Sequence, residues 1–285
     1  MIPDSLIRLE LSFDPAQEDL VIGLLYMHVA WGWEDMGLLN DLRQVRVHCD
    51  RPEQATDLEA VLQATCPDIR IARTTVDNAD WTSAWKQFFT PIAIGERFVV
   101  LPAWSQDTPG AAEPIYIEPK MAFGTGHHHT TALCLHTLVA LAAQGKLHAG
   151  QTFLDLGTGS GILAIAAAKL GLCGLGVDID PVAIDNAQEN ITLNNVGQHI
   201  TLHVGTIDHV PTTPPYDCIL ANILANPLID MAPEICARLA RPGILILSGI
   251  LTDQVARVSA AYTACGLPEP DVRTAEDWAA LTFCP

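Results

Sequence analysis

The chain has 285 residues, of which 49% are apolar and 17% charged, with a formal net charge of −18. Such a composition excludes a disordered or low-complexity chain and leaves room for two domains, each burying its own core. The acidity argues against a basic stripe for neutralising phosphates, so no direct nucleic-acid binding is expected; its plain reading is solubility, and a sharper one is attraction of a basic protein partner.

The beginning of the sequence, Met1-Ile-Pro-Asp-Ser5, has neither a basic leader nor a small-residue cleavage site, and no apolar run is long enough to span a bilayer. A cytoplasmic location without a membrane segment is expected. Residues 5–12 alternate apolar and polar, the period of a half-buried strand. Asp14-Pro15 then supplies a cap and a first-turn proline for a helix whose apolar positions are Leu20, Leu24, Leu25 and Val29. Strands are predicted near 31–38, at 43–49 and at 69–75, with a helix over 52–64 between the last two. The order β-α-β-β-α-β is that of a ferredoxin-like α+β unit, assigned to residues 1–76.

Residues 77–119 read as a linker with one strand at 97–101. They concentrate Trp81, Trp85, Phe88, Phe89 and Trp104 among several prolines. Aromatics so placed glue a connector to its neighbours or form a recognition surface, and packing is the favoured reading. From Gly150 onward, strand-like and helix-like runs alternate: 152–156, 162–170, 174–177, 181–194, 200–204, 217–220, 227–239 and 243–248. This pattern specifies a doubly wound, Rossmann-like α/β domain, placed at residues 120–285, whose ligand lies beyond the carboxyl ends of the strands. The eight cysteines form no C-x-x-C pair, so reduced thiols are expected rather than zinc or disulfides.

The strongest chemical signal is Phe153-Leu-Asp155-Leu-Gly157-Thr-Gly159-Ser-Gly161, an apolar strand running into glycines and then a helix. Gly157 and Gly159 permit close backbone approach to a ligand, although tight turns also use glycine for steric reasons alone. The second strand ends at Asp178, where a carboxylate can accept both hydroxyls of a ribose. Asp180, followed by Pro181, reads instead as a helix N-cap. The G-x-G-x-G spacing behind an acidic Asp155 suits a cationic aminoacid-sulfonium ligand better than a diphosphate.

Together with Asp80-Trp-Thr-Ser-Ala-Trp-Lys-Gln-Phe-Phe-Thr-Pro91, Ile94-Gly-Glu-Arg97, Ala122-Phe-Gly-Thr-Gly126, Thr130-Thr-Ala-Leu-Cys-Leu135, Gly176-Val-Asp-Ile-Asp-Pro-Val-Ala183, Asn190, Ala221-Asn-Ile-Leu-Ala225 and Leu247-Ser-Gly-Ile-Leu251, this loop resembles the bacterial ribosomal protein L11 methyltransferase family, PrmA, over essentially the whole chain. The resemblance implies S-adenosyl-L-methionine as cofactor, held by Thr131, Gly157, Asp178 and Asn222, with Phe123 and the Gly124–Gly126 loop over its methionine end. It also implies methylation of lysine side chains and the α-amino group of the ribosomal protein L11, docked by the N-terminal domain. Asn222 is assigned the catalytic role of orienting the amine, with no general base named; its alternative reading is a turn residue. The family usually reads Gly-Thr-Gly-Thr-His-Pro-Thr-Thr where this chain has His127-His128-His129, which is expected to loosen the loop. No metal is expected, because adjacent histidines rarely converge on one ion. The alternatives are a related protein-lysine methyltransferase with another substrate, and a non-catalytic cofactor-binding homologue.

Overall fold

The computed structural model describes residues 5–29, 33–49, 51–77, 90–105, 110–118, 126 and 128–284. The Trp81–Phe89 block, Phe123 and His127 lie outside the described residues. Contacts divide the chain after Phe88 into two units.

The first unit runs β1 (Ser5–Phe13), α1 (Glu18–His28), β2 (Glu34–Leu39), β3 (Leu42–Cys49), α2 (Pro52–Thr65), β4 (Arg70–Asp77). Its sheet has the order β2-β3-β1-β4 with every pair antiparallel, the ferredoxin-like arrangement. Leu9, Leu11 and Phe13 alternate inward from β1 and pack with Val45, Val47, Leu25, Leu58 and Leu62. Each such side chain contributes roughly 1.5–3 kcal/mol relative to exposure. Asp14 accepts the Ala16 amide at 2.9 Å and caps a short 3-10 turn ahead of α1. The apolar stripe of α1 differs from expectation by one position. Leu20 is exposed and Val21 is buried, because Val21, Leu24 and Leu25 stand at the three- and four-residue spacing that shares one face.

The second unit opens with β5 (Ile92–Ile94), β6 (Phe98–Pro102) and β7 (Glu113–Ile117), a three-stranded sheet where one strand was expected. Ile94, Phe98, Val100, Ile115 and Ile117 are buried in one cluster with residues of α3 (His129–Ala143) and α4 (Ile162–Lys169). Pro114, one of the prolines of the segment read as a linker, is tolerated because β7 is an edge strand and need not donate on its open side.

The central sheet contains β8 (Thr152–Leu156), β9 (Cys173–Asp178), β10 (Ile200–Val204), β11 (Tyr216–Asn222), β12 (Leu239–Leu251), β13 (Asp271–Ala275) and β14 (Trp278–Phe283). Their order is β10-β9-β8-β11-β12-β14-β13, with β14 antiparallel to both of its neighbours. Helices α5 (Pro181–Leu193), α6 (Ala225–Asp230), α7 (Ala232–Arg238) and α8 (Val255–Ala264) complete the unit. Two separate apolar clusters cover the two faces of the sheet, as a doubly wound fold requires. The helix expected over 227–239 is two helices, since Pro233 enters the first turn of α7 and has no amide to continue α6. Strand order reverses between β8 and β11, so the crevice outside their carboxyl ends is the topological switch point.

Candidate active site

At the switch point the end of β8 turns into the glycine loop. Gly157, Gly159 and Gly161 adopt φ of 74°, 55° and 81°, a region that a side chain enters only at a cost. A Cβ on Gly157 would also collide with the Ile223 side chain, so this position has two independent reasons to lack one. The loop is pinned to the next strand: the Gly157 and Thr158 amides both donate to the Val177 carbonyl, at 2.8 and 3.0 Å.

Asp178 closes β9 beside this loop. Its Oδ2 accepts the Gly159 amide at 2.9 Å and its Oδ1 accepts the Asp180 amide at 3.0 Å. Asp180 itself accepts the Val182 amide at 2.9 Å and caps α5, as its Asp-Pro context predicted. The two acids, two residues apart, therefore face different tasks.

Asp155 is wholly buried at the end of β8. One carboxylate oxygen accepts the Thr158 hydroxyl at 2.7 Å and the Ala164 amide at 3.1 Å, tying the loop to the first turn of α4. The other oxygen is buried without a hydrogen-bond partner. Burial pushes the Asp155 carboxyl up to about 7, helped by the nearby Asp178 charge and opposed by the two hydrogen bonds. The acidic residue expected to suit a cationic ligand is thus a carboxyl raised by burial, for which a neighbouring cation would favour the ionised form. The thiols of Cys134 and Cys218 near this carboxyl are both pushed upward by burial, Cys134 to about 12, so neither is a nucleophile here.

On the neighbouring strand, Asn222 ends β11. Its Nδ2 donates to the Thr131 hydroxyl at 3.3 Å, while its Oδ1 is buried without a partner. Thr131 is fully buried in the first turn of α3. The described residues thus bring Thr131, Gly157, Gly159, Asp178 and Asn222 to one edge of the sheet. His128 caps α3, lies 2.7 Å from the Thr130 hydroxyl through Nδ1, and packs edge-on against Trp278 at 4.8 Å between ring centroids. Burial, with a smaller contribution from His129, lowers the His128 pKa. His129 instead pairs with Glu276 at 3.3 Å, so the two rings engage different partners. Among the described residues no helix is long and apolar enough to cross a membrane.

Sequence reasoning missed the β13–β14 hairpin that brings Trp278 and Glu276 to this edge. Its turn is signalled only by Glu276 and Asp277, and Glu276 takes a φ of 51° that a non-glycine residue seldom adopts.

A dinucleotide-binding sheet keeps the order 3-2-1-4-5-6, and the antiparallel β14 inserted before the last position sets this one apart. With an acidic loop in place of a diphosphate cradle, it is the α/β architecture of a Rossmann-like methyltransferase.

The family model described as ribosomal protein L11 methyltransferase (PrmA) matches residues 35–284, and the chain belongs to that family. It is accordingly an S-adenosylmethionine-dependent protein methyltransferase. A ribosomal protein L11 methyltransferase of Pelobacter propionicus is 38% identical over 222 residues, covering 76% of this chain and 71% of the relative. The protein of the same name from Trichlorobacter lovleyi is 42% identical over 235 residues, covering 81% and 76%. Among solved structures, the ribosomal protein L11 methylase of Lactobacillus delbrueckii subsp. bulgaricus aligns with a TM-score of 0.60 at 32% identity, covering 68% of this chain and 97% of that one.

Proposed function

We propose that this methyltransferase modifies the ribosomal protein L11, on lysine side chains and on the α-amino group, in the cytoplasm. The observation that carries the reading is the Asn222–Thr131 pair beside the glycine loop, with the Asn222 Oδ1 buried and unpartnered. An amide oxygen without a donor suits an incoming amine or ammonium, and the unpartnered Asp155 oxygen gives the same edge a second acceptor. These orphaned acceptors and the bare glycine backbone fit S-adenosylmethionine. Gly157 and Gly159 would bring backbone to the cofactor, Asp178 would take its ribose, Thr131 and Asn222 would contact it, and the family resemblance assigns Phe123 to its methionine end. Bound there, the cofactor supplies an electrophilic methyl group.

The protein's own part is orientation. The acceptor amine, with an ordinary pKa of about 10.4 for a lysine side chain and about 8 for an α-amino group, must be neutral to attack, and Asn222 holds it in line while its proton leaves to water. Residues 1–76 serve as the recognition domain and 120–285 as the catalytic domain, and β5–β7 of the connecting segment 77–119 share the core of the catalytic unit. The net charge of −18 favours encounter with a basic substrate.

The test is transfer of labelled methyl from S-adenosylmethionine to purified L11, with a lysate of the same cell as the comparison acceptor. Labelled L11 supports the assignment. A different labelled band keeps the chemistry and moves the substrate, and cofactor binding without any transfer supports a non-catalytic homologue.

A further inference from the structure

Three asparagines, Asn186, Asn190 and Asn194, follow one another at four-residue spacing along α5 and its C-cap, so they share one face. All three are buried. That face lies along the open edge of β7. Asn194 accepts the Tyr116 amide at 2.9 Å and donates to the Tyr116 carbonyl at 2.6 Å, as a partner strand would. Asn190 accepts the Glu118 amide at 2.8 Å, and Asn186 donates to the Glu118 carbonyl at 3.4 Å. For Asn194 and Asn190 the match is geometric: four helical residues rise about 6.0 Å and two strand residues about 6.6 Å, so the two asparagines meet Tyr116 and Glu118, two strand positions apart.

Asn190 does one thing that the other two do not. Its Nδ2 donates to the Ser160 carbonyl at 2.8 Å, inside the glycine loop. Ser160 stands between Gly159 and Gly161, both at positive φ, where no Cβ restricts the backbone. Peptide orientation there depends on hydrogen bonds. The Asp178 carboxylate holds the Gly159 amide, the Thr158 carbonyl holds the Gly161 amide, and Asn190 holds the Ser160 carbonyl between them.

We propose that Asn190 is a positioning residue for the cofactor site, one side chain that sets the Ser160–Gly161 peptide of the glycine loop and ties it to the chain at Glu118. The inference rests on reading that loop as the S-adenosylmethionine cradle. It separates Asn190 from Asn194, which braces β7 without touching the loop. Asn190→Asp keeps an acceptor for the Glu118 amide and loses the donor to Ser160, and so isolates the loop contact.

The experiment measures the S-adenosylmethionine Kd, the KM of cofactor and of purified L11, and the Tm, for the full chain and for Asn190→Asp and Asn194→Ala. The expected result is a rise of about tenfold or more in cofactor Kd and KM for Asn190→Asp, with the L11 KM within about twofold of the parent. Asn194→Ala is expected to lower Tm and leave the cofactor Kd within about twofold. A cofactor Kd for Asn190→Asp equal to that of the parent overturns the proposal. So does a loss of affinity that follows Tm equally in both variants. If Asn190→Asp is recovered unfolded, Asn190→Ala takes its place with the same two outcomes. A parent chain that binds no S-adenosylmethionine refutes the cradle itself, a result distinct from any difference between variants.

Discussion

Asn222 donates its side-chain amide to the Thr131 hydroxyl at 3.3 Å, joining the end of β11 to the first turn of α3 across 91 positions of sequence. One donor of the amide is thereby engaged and its acceptor oxygen left over. Two elements fix the direction of that oxygen, so it can orient a reactant without first being ordered itself.

Asn222→Ala removes the acceptor and leaves the Thr131 hydroxyl in place. Turnover is expected to fall on the order of 10²-fold, with cofactor Kd changed by less than about threefold. Single-turnover transfer to L11 at saturating cofactor checks this, and near-normal turnover would remove Asn222 from the orienting role. Thr131→Val, which keeps the shape and deletes the hydroxyl, should lower turnover less.

Asp178 and Asp180 separate cleanly by their partners. Asp178→Ala removes the acceptor for both the Gly159 and Asp180 amides and is expected to weaken cofactor binding by about tenfold or more. Asp180→Ala removes only the cap on the Val182 amide, so it should cost about 1 kcal/mol of stability and leave cofactor affinity intact. Calorimetric titration and thermal melting of both variants decide the matter. Equal losses of affinity would show that the two acids share one role.

The division between these acids was legible in the sequence because each lies in a local pattern, the end of a parallel strand for Asp178 and an Asp-Pro helix start for Asp180. The parallel strands were legible for a similar reason: buried on both faces, they read as short apolar runs. What escaped was set by distant partners. β5 and β7 are too short to show a period, and only packing against α3 and α4 declares them strands. The end of the sheet beyond Ser248 went unread, since β12 continues to Leu251 and β14 returns antiparallel after a turn with no glycine. Asn190 was visible as a motif residue, yet its two contacts, 30 and 72 positions away, have no local signature.

Asp155 gives the fold a measurable pH dependence. In the unfolded chain its carboxyl titrates in the ordinary range near 4, and in the folded protein burial holds it at about 7. Between those values the folded state binds the extra proton, so the contribution is fully present below about pH 4 and is lost as pH rises to about 7. Asn at this position cannot ionise. Asp155→Asn is therefore expected to gain stability relative to the parent as pH rises across that window, measured by denaturant melts at intervals from about pH 4.5 to 7.5. A constant difference between the two proteins over the window would mean that Asp155 is ionised throughout.

His129 stands where the family has proline, and the structure shows why both residues fit. It is the first residue of α3, the helical position at which proline's missing amide costs nothing. The preceding His128 has φ −72° and ψ 135°, the extended conformation that a following proline demands. At position 129 the substitution therefore acts on the freedom of the unfolded chain, since the folded backbone of His128 and His129 accommodates either residue. His129→Pro should gain about 0.4–1 kcal/mol by restricting the unfolded state. It gives up an exposed pair with Glu276 worth at most about 1 kcal/mol. The net effect on Tm is expected to be a few degrees or less in either direction, with cofactor affinity retained. A loss approaching the roughly 3 kcal/mol of a proline inside a helix would place His129 within α3 rather than at its start.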